Sequence, residues 1–498
     1  MLLLSLLIGL FSNKSYALKD ENVDLGIRAL YVRADIAAGS LEDINVQHYK
    51  QYIEALREKN TKRVKELEPR ISSCSPFEKI VGLVLASDLN GLVINVKDDS
   101  GYVTIPFSSD IIPKLQSNNG YLKNIEEIMR KLKGYGIYTI ARLVVFKDNV
   151  LSKHHEYTIN ISDNQPWLDY SKASWVNPYD KRVQDYNIEV ALKAAQYGFD
   201  EIQFDYIRFP EKFSQFPVSE KYLKDNVRQD EEIRSFLKKA ASQLKPLNVK
   251  IAADVFGCVA YLWDDPLNID IGQVWYNLTQ EVDYICPMVY PSHYRGTNWY
   301  TYNDPNKEPY KVVKGAIEDS LRINGAFNIK ADIRFWIQDF SMYGYYYGPE
   351  QILDQVRALN EYGMDSYMFW NNLNIYEPDN FLIMDTREVE DISQNYYIYN
   401  MEDNNPFEVS SNYLNAFKAK DFYQLFVLSS PKNREVEYKD FVKDFTFSYL
   451  NDFSIKDYKI SFNTAQVFFN QSHKDNSLVV FLVLEEGLWK INNIYFMN

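Results

Sequence analysis

The amino-acid sequence predicts an α/β fold, a (β/α)8 barrel of the TIM type followed by a small α+β domain. Eight short β-rich runs alternate with amphipathic helical stretches between residues 27 and 372. Strands that alternate with helices form parallel sheets, and eight units close a barrel. After Tyr376 this alternation stops, and strand patterns of period two follow near the carboxyl terminus. A doubly wound open sheet is the alternative, but no GxGxxG motif follows the first strand.

The predicted barrel strands are β-rich runs, mostly of apolar and aromatic residues. They cover residues 27–37, 91–99, 137–146, 201–209, 250–257, 283–291, 333–340 and 365–372. The spacing of apolar residues predicts helices over 122–136, 183–199 and 347–365, each with a glycine near its end. The first crossover is longer and contains a highly charged stretch, 49–70, which predicts one additional, mostly solvated helix.

The amino terminus has the composition of an export signal. Residues 1–17 contain an apolar run and end in Ser15-Tyr16-Ala17, a small-residue cleavage site, although no basic residue precedes the run. The run is too short to cross a bilayer comfortably, which favours a cleaved signal over a retained anchor. We therefore expect an exported bacterial protein, located in the periplasm, at the cell surface or in the medium, with no stable membrane span after signal removal.

The remaining chain divides into three predicted regions: the barrel over 25–376, a linker over 377–404 and a small α+β domain over 405–498. The last region opens with helical periodicity at 405–426 and continues with strand patterns at 453–471 and 476–496. Helices followed by an antiparallel run ending in "GLWKINNIYF" resemble small cone-shaped domains of the NTF2-like (nuclear-transport-factor-2-like) type. Another kind of small α+β domain is the alternative.

Charge and composition restrict the class of function. The net charge of −14 and the pI near 5.0 argue against nucleic acid as a partner, because phosphate binding needs a basic face. The 39 tyrosines and 8 tryptophans fit a carbohydrate-binding protein, since their rings stack on sugars, although we expect most of them in the core and on the surface. The three cysteines and five histidines form no CxxC or HExxH motif, so we expect neither a metal nor another cofactor.

Polar side chains gather at the carboxyl ends of the predicted strands, where barrel enzymes carry their catalytic groups. In chain order, the candidates are Asp98, Asp99, Arg142, Gln203, Asp205, Arg208, Asp254, Tyr290, His293, Gln338 and Trp370. The amino-terminal halves of the strands, in contrast, are predicted to form an apolar barrel interior. Because polar residues recur at the same end of one strand after another, we expect a single site at the mouth of the barrel.

Asp205 and Asp254 are the predicted catalytic pair. They lie on adjacent strands, whose backbones are about 5 Å apart. Two carboxylates held together repel, so one of them retains a proton at neutral pH. Glycoside hydrolysis needs one acid that protonates the leaving oxygen and one carboxylate that attacks or activates water. We assign Asp205 as nucleophile or base and Asp254 as acid; the alternative for Asp205 is a structural ion pair with Arg208.

The other candidates are assigned to substrate contact or to support of the acids. Asp98 and Asp99 precede Ser-Gly, so they are turn residues or, alternatively, acceptors for sugar hydroxyls or a reserve acid. Arg142 lies among Val and Ile, and its burial requires an acidic partner, which we expect among these carboxylates. Further assignments follow from position: Gln203, Arg208, Tyr290 and Gln338 orient acids and hydroxyls, Trp370 stacks on a sugar or fills the core, and His293 is a substrate contact or a loop residue.

Long stretches of the chain resemble the bacterial DUF4015 family of glycoside-hydrolase-like (β/α)8 proteins. They are 89–103, 140–152, 175–210, 253–257, 282–294, 336–340 and 369–376, in that order. The resemblance spans about 27–376 and implies a carbohydrate substrate. It places Asp98, Asp99, Asp205, Asp254, Tyr290 and His293 at positions of the family's motifs. The sequence departs from the pattern in its charged insertion after the first strand and in Phe335, where proline is expected.

The leading hypothesis is an exported glycoside hydrolase that acts on a cell-wall or surface polysaccharide. The alternative is a non-catalytic carbohydrate-binding barrel, which would keep the cleft and the aromatic residues without turnover. A metal-dependent polysaccharide deacetylase is disfavoured, because no His-x-x-x-His pair accompanies the acids.

Overall fold

The computed structural model describes residues 26–112, 115, 117–118, 120–162, 165–211, 213, 227–262, 266–297, 299–301, 304–327 and 329–382, together with four strands between 453 and 497. The predicted signal peptide at 1–17 and the predicted helix at 405–426 lie outside the described residues. The predicted linker, 377–404, is described only as far as Leu382.

Eight parallel strands close into a barrel. They are β1 (Arg28–Val32), β2 (Gly91–Lys97), β3 (Tyr138–Val144), β4 (Glu201–Asp205), β5 (Lys250–Phe256), β6 (Tyr284–Val289), β7 (Phe335–Gln338) and β8 (Tyr367–Trp370). Each strand pairs with the next along the chain, and β8 pairs with β1. A short segment, Asp332–Ile333, pairs with β6 just before β7 begins. The predicted eight-stranded parallel barrel is confirmed.

Several strands end earlier than the sequence pattern predicts. The first predicted strand, 27–37, ends at Val32, and the chain continues into a helical turn. The fourth, 201–209, ends at Asp205, because Tyr206 adopts the left-handed backbone conformation with a φ of 50°. Phe209 is buried beyond the end of the strand, so its apolar character reflects burial rather than strand pairing. The strand therefore ends at the candidate catalytic acid itself.

The described helices cover the outside of the barrel and the loops between the strands. They are α1 (Ala34–Ala37), α2 (Asp43–Arg57), α3 (Thr61–Ile71), α4 (Pro76–Ala86), α5 (Ile125–Gly134), α6 (Lys181–Gln196), α7 (Gln229–Leu244), α8 (Pro266–Ile271), α9 (Trp275–Thr279), α10 (Pro309–Ala326), α11 (Pro349–Glu361) and α12 (Asp379–Leu382). Within the part of the chain that the structure describes, no helix combines the length and the apolar character that crossing a bilayer requires.

The insertion after β1 is two helices and not the single charged helix predicted over 49–70. α2 ends at Arg57 and α3 begins at Thr61. Asn60 caps α3 by accepting a hydrogen bond from the Arg63 N–H (3.1 Å), a competing local interaction that favours a new helix start. α2 is also less solvated than predicted, because Val46 and Ile53 are fully buried.

The barrel interior is apolar at most levels but contains an ion pair near its amino-terminal end. Glu201 on β4 and Arg334, just before β7, are completely buried, with 2.7 Å between Glu201 Oε2 and Arg334 Nη1. Tyr138 donates a further hydrogen bond to Glu201 (3.1 Å). The prediction of an entirely apolar lower interior is therefore wrong. Each of these two buried charges is neutralised by the other inside the barrel.

Near the carboxyl terminus, four strands form an antiparallel meander. They are β9 (Phe453–Ser461), β10 (Thr464–Gln471), β11 (Ser477–Glu485) and β12 (Leu488–Met497), paired in that order. The two predicted strand patterns, 453–471 and 476–496, thus each correspond to a hairpin. The NTF2-like assignment stays a prediction.

Candidate active site

The strand register brings the two predicted acids together at the mouth of the barrel. Val144 on β3 pairs with Asp205 on β4, and Phe204 pairs with Ala253 on β5. One further step along the same register places Asp205 beside Asp254. Both residues therefore lie at the carboxyl ends of adjacent strands.

Asp205 is held as a fixed carboxylate. Its Oδ2 accepts hydrogen bonds from Arg142 Nε (2.9 Å) and Nη2 (2.5 Å), and its Oδ1 accepts one from the Tyr206 N–H (2.6 Å). Tyr206, which donates this last bond, has a left-handed backbone conformation. A sparsely populated backbone conformation thus occurs immediately beside the acid. The alternative pairing of Asp205 with Arg208 is not observed, because Arg142 occupies that role.

Asp254 has a contrasting environment. Its side chain is 1% exposed. Trp336 Nε1 donates a hydrogen bond to Oδ1 (2.8 Å), whereas Oδ2 has no hydrogen-bond partner among the described residues. Burial raises the pKa of Asp254 well above its usual value, and the neighbouring Asp205 carboxylate raises it further. The two acids of the pair thus lie in unequal environments, one paired with an arginine and the other buried without a cationic partner.

Arg142 connects Asp205 to a third acid. Its guanidinium donates to Asp99 (3.2 and 3.3 Å) and to Asn95 Oδ1 (3.0 Å), in addition to Asp205. Burial opposes ionisation of Asp99, but the charge and hydrogen bonds of Arg142, together with the Lys147 charge and a backbone hydrogen bond, outweigh it, so the pKa of Asp99 lies below its usual value. The Asp99 side chain is 43% exposed, against 5% for Asp205. The predicted acidic partner of Arg142 is confirmed, and there are two.

Asp98 builds the turn that presents Asp99. Its Oδ1 accepts hydrogen bonds from the backbone N–H groups of Ser100 (2.9 Å) and Tyr102 (3.0 Å). Burial raises the pKa of Asp98. The turn requires glycine at position 101, where φ is 93° and a Cβ atom would lie 2.1 Å from Asp148 Oδ1. The turn interpretation of Asp98 thus matches its geometry.

Aromatic rings surround the acids. Tyr31 and Trp370 stack with their centroids 4.1 Å apart, and Arg142 lies over both rings, 5.7 and 5.1 Å from their centroids. Trp336 meets Trp370 edge-on at 5.6 Å, and Tyr290 stacks on Trp370 at 6.4 Å. Burial raises the pKa of Tyr290, and the neighbouring acids Asp254 and Asp205 raise it further. Trp370 is half-buried and therefore presents part of its ring to the mouth.

Two predicted substrate contacts are packed away from solvent. Gln203 is 0% exposed in the barrel interior, where Nε2 lies 3.3 Å from the Met368 sulfur. Gln338 is also 0% exposed; it accepts from the Ser292 N–H (3.0 Å) and donates to the Phe340 carbonyl (2.8 Å).

Arg208 and His293 occupy different positions. Arg208 is 7% exposed and lies over the rings of Trp175 (4.7 Å) and Phe256 (4.5 Å). These contacts make Arg208, like the two glutamines, part of the support of the mouth. His293 is exposed at the rim, although the surrounding groups exclude enough water to lower its pKa.

The sequence reasoning did not single out Asn95, Tyr31 and Trp336. All three lie one or two strand positions from the predicted mouth and face inward, which alternation alone would have indicated for Trp336. Asn95 is harder to predict, because an irregularity in the pairing of β2 between Asn95 and Lys97 changes the alternation. Lys97 consequently points out of the barrel and pairs with buried Asp148 (2.7 Å).

Asp339, directly after β7, is a further buried acid. Its side chain is 3% exposed, and its Oδ1 accepts a hydrogen bond from Asn380 Nδ2 (2.8 Å). Burial raises the pKa of Asp339 to about 8. Because the folded state keeps this proton while the unfolded chain releases it near pH 4, Asp339 lowers stability as pH rises from about 4 to about 8.

We expect Asp339→Asn to remove this pH dependence. The free energy of unfolding of the variant, relative to the unmodified protein, should increase by up to about 1.4 kcal/mol per pH unit between pH 4 and 8. Urea unfolding at pH 5, 6, 7 and 8 measures it. Asp354→Asn, on the surface of α11 with a side chain that is 39% exposed, is the control and should change the pH slope little. Equal slopes for Asp339→Asn and the unmodified protein would contradict the assignment.

No group of three or more His, Cys, Asp and Glu residues within the described part of the chain has the arrangement of a metal site.

The match to a family model identifies the class of this barrel. The model of DUF4015, described as "Putative glycosyl hydrolase domain", matches residues 69–376. The chain belongs to the DUF4015 family. The predicted resemblance and the predicted glycoside hydrolase class are thus confirmed. The matched range begins within α3, so β1 with Tyr31 precedes it.

Several solved structures are similar to this DUF4015 protein. A hypothetical protein from Ruminiclostridium thermocellum ATCC 27405 is 28% identical, with coverage of 45% of this chain and 97% of that chain and a TM-score of 0.34. The glycoside hydrolase domain of PgaB (BpsB) from Bordetella bronchiseptica is 12% identical, with coverage of 74% and 99% and a TM-score of 0.45. The glycoside hydrolase domain of PelA from Pseudomonas aeruginosa is 14% identical, with coverage of 59% and 91% and a TM-score of 0.34. No curated protein matches the chain.

Proposed function

We propose that this DUF4015 protein cleaves glycosidic bonds of a cell-wall or surface polysaccharide by a two-carboxylate mechanism. Asp205 acts as nucleophile or base and Asp254 as general acid. The observation that carries the proposal is the unequal environment of the two acids. Arg142 and the Tyr206 N–H hold Asp205 as a carboxylate, whereas burial raises the pKa of Asp254.

The two environments match the two tasks of glycoside hydrolysis. A neutral carboxyl group can donate its proton to the glycosidic oxygen as the bond to the sugar breaks. A fixed carboxylate can attack the anomeric carbon, or take a proton from the water that does so. The ion pair with Arg142 keeps Asp205 in one orientation. The Trp336 hydrogen bond leaves Oδ2 of Asp254 as the atom from which a proton is transferred.

The surrounding residues supply substrate contacts. Asp99 is the more exposed of the two acids paired with Arg142 and accepts hydrogen bonds from sugar hydroxyls. The accessible part of the Trp370 ring stacks on the apolar face of a sugar. Tyr290 stacks on Trp370, and His293 lies beside Tyr290. The amino-terminal apolar run supports export of the protein to the compartment where such polysaccharides occur.

Reducing-end release from purified cell-wall and surface polysaccharides tests the proposal. The unmodified protein should release new reducing ends, and the double variant Asp205→Asn/Asp254→Asn should release none above background. Both proteins should still bind the same polysaccharide in affinity electrophoresis, because the aromatic rings remain. Equal release by the double variant would overturn the assignment.

A non-catalytic carbohydrate-binding barrel is the second candidate, and one observation favours it. Asp205 is 4% exposed and Asp254 only 1%, so a sugar must displace neighbouring groups to reach them. This candidate predicts polysaccharide binding by both proteins and no turnover by either. The same pair of measurements therefore decides between the two functions.

A further inference from the structure

A tight turn after β7 displays an exposed tyrosine in a strained backbone conformation. The Tyr345 N–H donates to the Met342 carbonyl (3.1 Å), and the central residues Tyr343 and Gly344 have φ of 56° and 75°. Two successive positive φ values are the pattern of a type I′ turn, whose first central position favours Asn, Asp or Gly. Tyr343 occupies that position although it is 59% exposed. Neither turn formation nor core packing accounts for it, and such an outlier indicates a functional role.

A cation lies beside the ring of Tyr343. Arg295 Cζ is 4.8 Å from the ring centroid. Arg295 is exposed and directly follows the helical turn Pro291–Tyr294 that leaves β6. Among the described residues, no carboxylate pairs with this arginine. Its guanidinium therefore holds N–H groups that are available to a ligand at the ring.

A track of aromatic side chains joins this turn to the candidate acids. Trp370, beside Arg142, stacks on Tyr290. The Tyr290 ring meets His293 at 5.3 Å and Phe340 at 5.7 Å. Phe340 is three residues before Tyr343, so their Cα atoms lie at most about 11 Å apart. The aromatic residues of this track lie at the carboxyl ends of β6, β7 and β8 or directly after them, on the mouth side of the barrel.

We propose that Tyr343 and Arg295 form an outer sugar subsite, and that the substrate is a carbohydrate chain that extends along this track from the acids to Tyr343. The inference rests on the proposed function and adds to it that the substrate is a chain long enough to reach from the acids to Tyr343. The exposed ring of Tyr343 stacks on the apolar face of a pyranose. Arg295 donates to an oxygen of the same sugar, either a hydroxyl or a carboxylate.

An outer subsite makes affinity depend on chain length. A short oligosaccharide occupies only the positions next to the acids, and its binding is independent of Tyr343. A longer one gains the stacking contact, which corresponds to a roughly 3- to 10-fold increase in affinity. The subsite therefore favours polymers over disaccharides.

The test uses calorimetric titration with two ladders of two- to eight-sugar oligosaccharides, one of N-acetylglucosamine and one of galacturonic acid. All titrations are made in the Asp205→Asn background, which prevents turnover. The added variant is Tyr343→Asn, because asparagine suits the turn and should keep or raise the melting temperature. We expect Tyr343→Asn to remove the 3- to 10-fold gain of the longer oligosaccharides and to leave the binding of the shortest ones unchanged.

Two further variants sharpen the result. Tyr276→Ala removes another exposed tyrosine, on α9 outside the mouth, and should preserve the dependence on chain length. Arg295→Gln should weaken the galacturonate ladder selectively if the bound oxygen is a carboxylate, and both ladders equally if it is a hydroxyl. No change in either ladder with Arg295→Gln would contradict its role.

The outcomes separate the subsite from the catalytic proposal. An unchanged dependence on chain length in Tyr343→Asn, or no binding of either ladder to the parent protein, overturns the subsite. Absence of turnover by the protein with intact acids overturns the hydrolase, but a length dependence that requires Tyr343 would still establish the subsite.

Discussion

Asp205→Asn should lower kcat/KM by about 10²- to 10⁴-fold on every substrate, whereas Asp254→Asn should do so only where the leaving group needs a proton. The two acids have different tasks, so their loss has different consequences. Without Asp205 the carboxylate that attacks, or activates water, is absent whatever the leaving group. Without Asp254 an alcohol leaves poorly, but a nitrophenolate leaves unaided because it is a stable anion.

Comparison of a polysaccharide with a nitrophenyl glycoside of the same sugar measures this difference. Asp205→Asn should lose activity on both substrates, and Asp254→Asn should retain a near-normal kcat/KM for release of nitrophenolate from the nitrophenyl glycoside. Asp200→Asn is a matched control, since Asp200 lies directly before β4 at the opposite end and pairs with Lys133 (2.8 Å). Asp205→Asn with activity within a few-fold of the unmodified protein would remove Asp205 from the mechanism.

Arg142→Met should destabilise the fold by about 3–5 kcal/mol, the range for the loss of one partner of a buried ion pair. Arg142 and Asp205 have side chains that are 2% and 5% exposed, so water cannot replace the lost hydrogen bonds. Asp99 would also lose the charge that lowers its pKa. The variant tests whether the charge network at the mouth is part of the stability of the barrel.

The pH dependence of this loss has a definite sign. In the unmodified protein, the lowered pKa of Asp99 contributes stability above the unfolded pKa near 4, and this contribution is lost as pH falls through the folded value. In Arg142→Met it is absent at every pH, and Asp205 is a buried charge without a partner. The decrease in the free energy of unfolding caused by Arg142→Met should therefore be largest at neutral pH and become smaller towards pH 3–4.

Guanidinium unfolding at pH 4 and pH 7 would measure both effects. Arg182→Met is the matched control, because Arg182 pairs with Asp180 but its side chain is 55% exposed. An exposed pair contributes only about 0–1 kcal/mol. A loss in Arg142→Met no larger than in this control would show that the buried network does not stabilise the fold.

The alternation of strands and helices was sufficient to predict the barrel. Each of its eight strands lies within a predicted run, and the polar residues at the carboxyl ends located the mouth. The strand limits were less predictable, because burial outside the sheet selects the same apolar residues as strand pairing does. Phe209, beyond the end of β4, is such a case.

The alternative pairing of Asp205 with Arg208 shows a second limit. Proximity along the chain favoured Arg208, but β3 and β4 are neighbours in the sheet and bring Arg142 to the acid. Arg208 lies instead over Trp175 and Phe256. A similar limit applies to Lys97, which the pairing irregularity in β2 turns out of the barrel.

The sequence by itself determined the fold class, the family and the two acids worth testing, because periodicity and motif residues are local properties of the chain. Only the tertiary structure decided how Asp205 and Asp254 differ. Their environments come from Arg142 on β3, Tyr206 after β4 and Trp336 on β7. Tyr206 is next to Asp205 in the chain, but Arg142 and Trp336 are far in sequence from the acids that they contact. Burial and the closing of the barrel put these groups in contact, and that contact gives Asp205 an ion-pair partner and raises the pKa of Asp254.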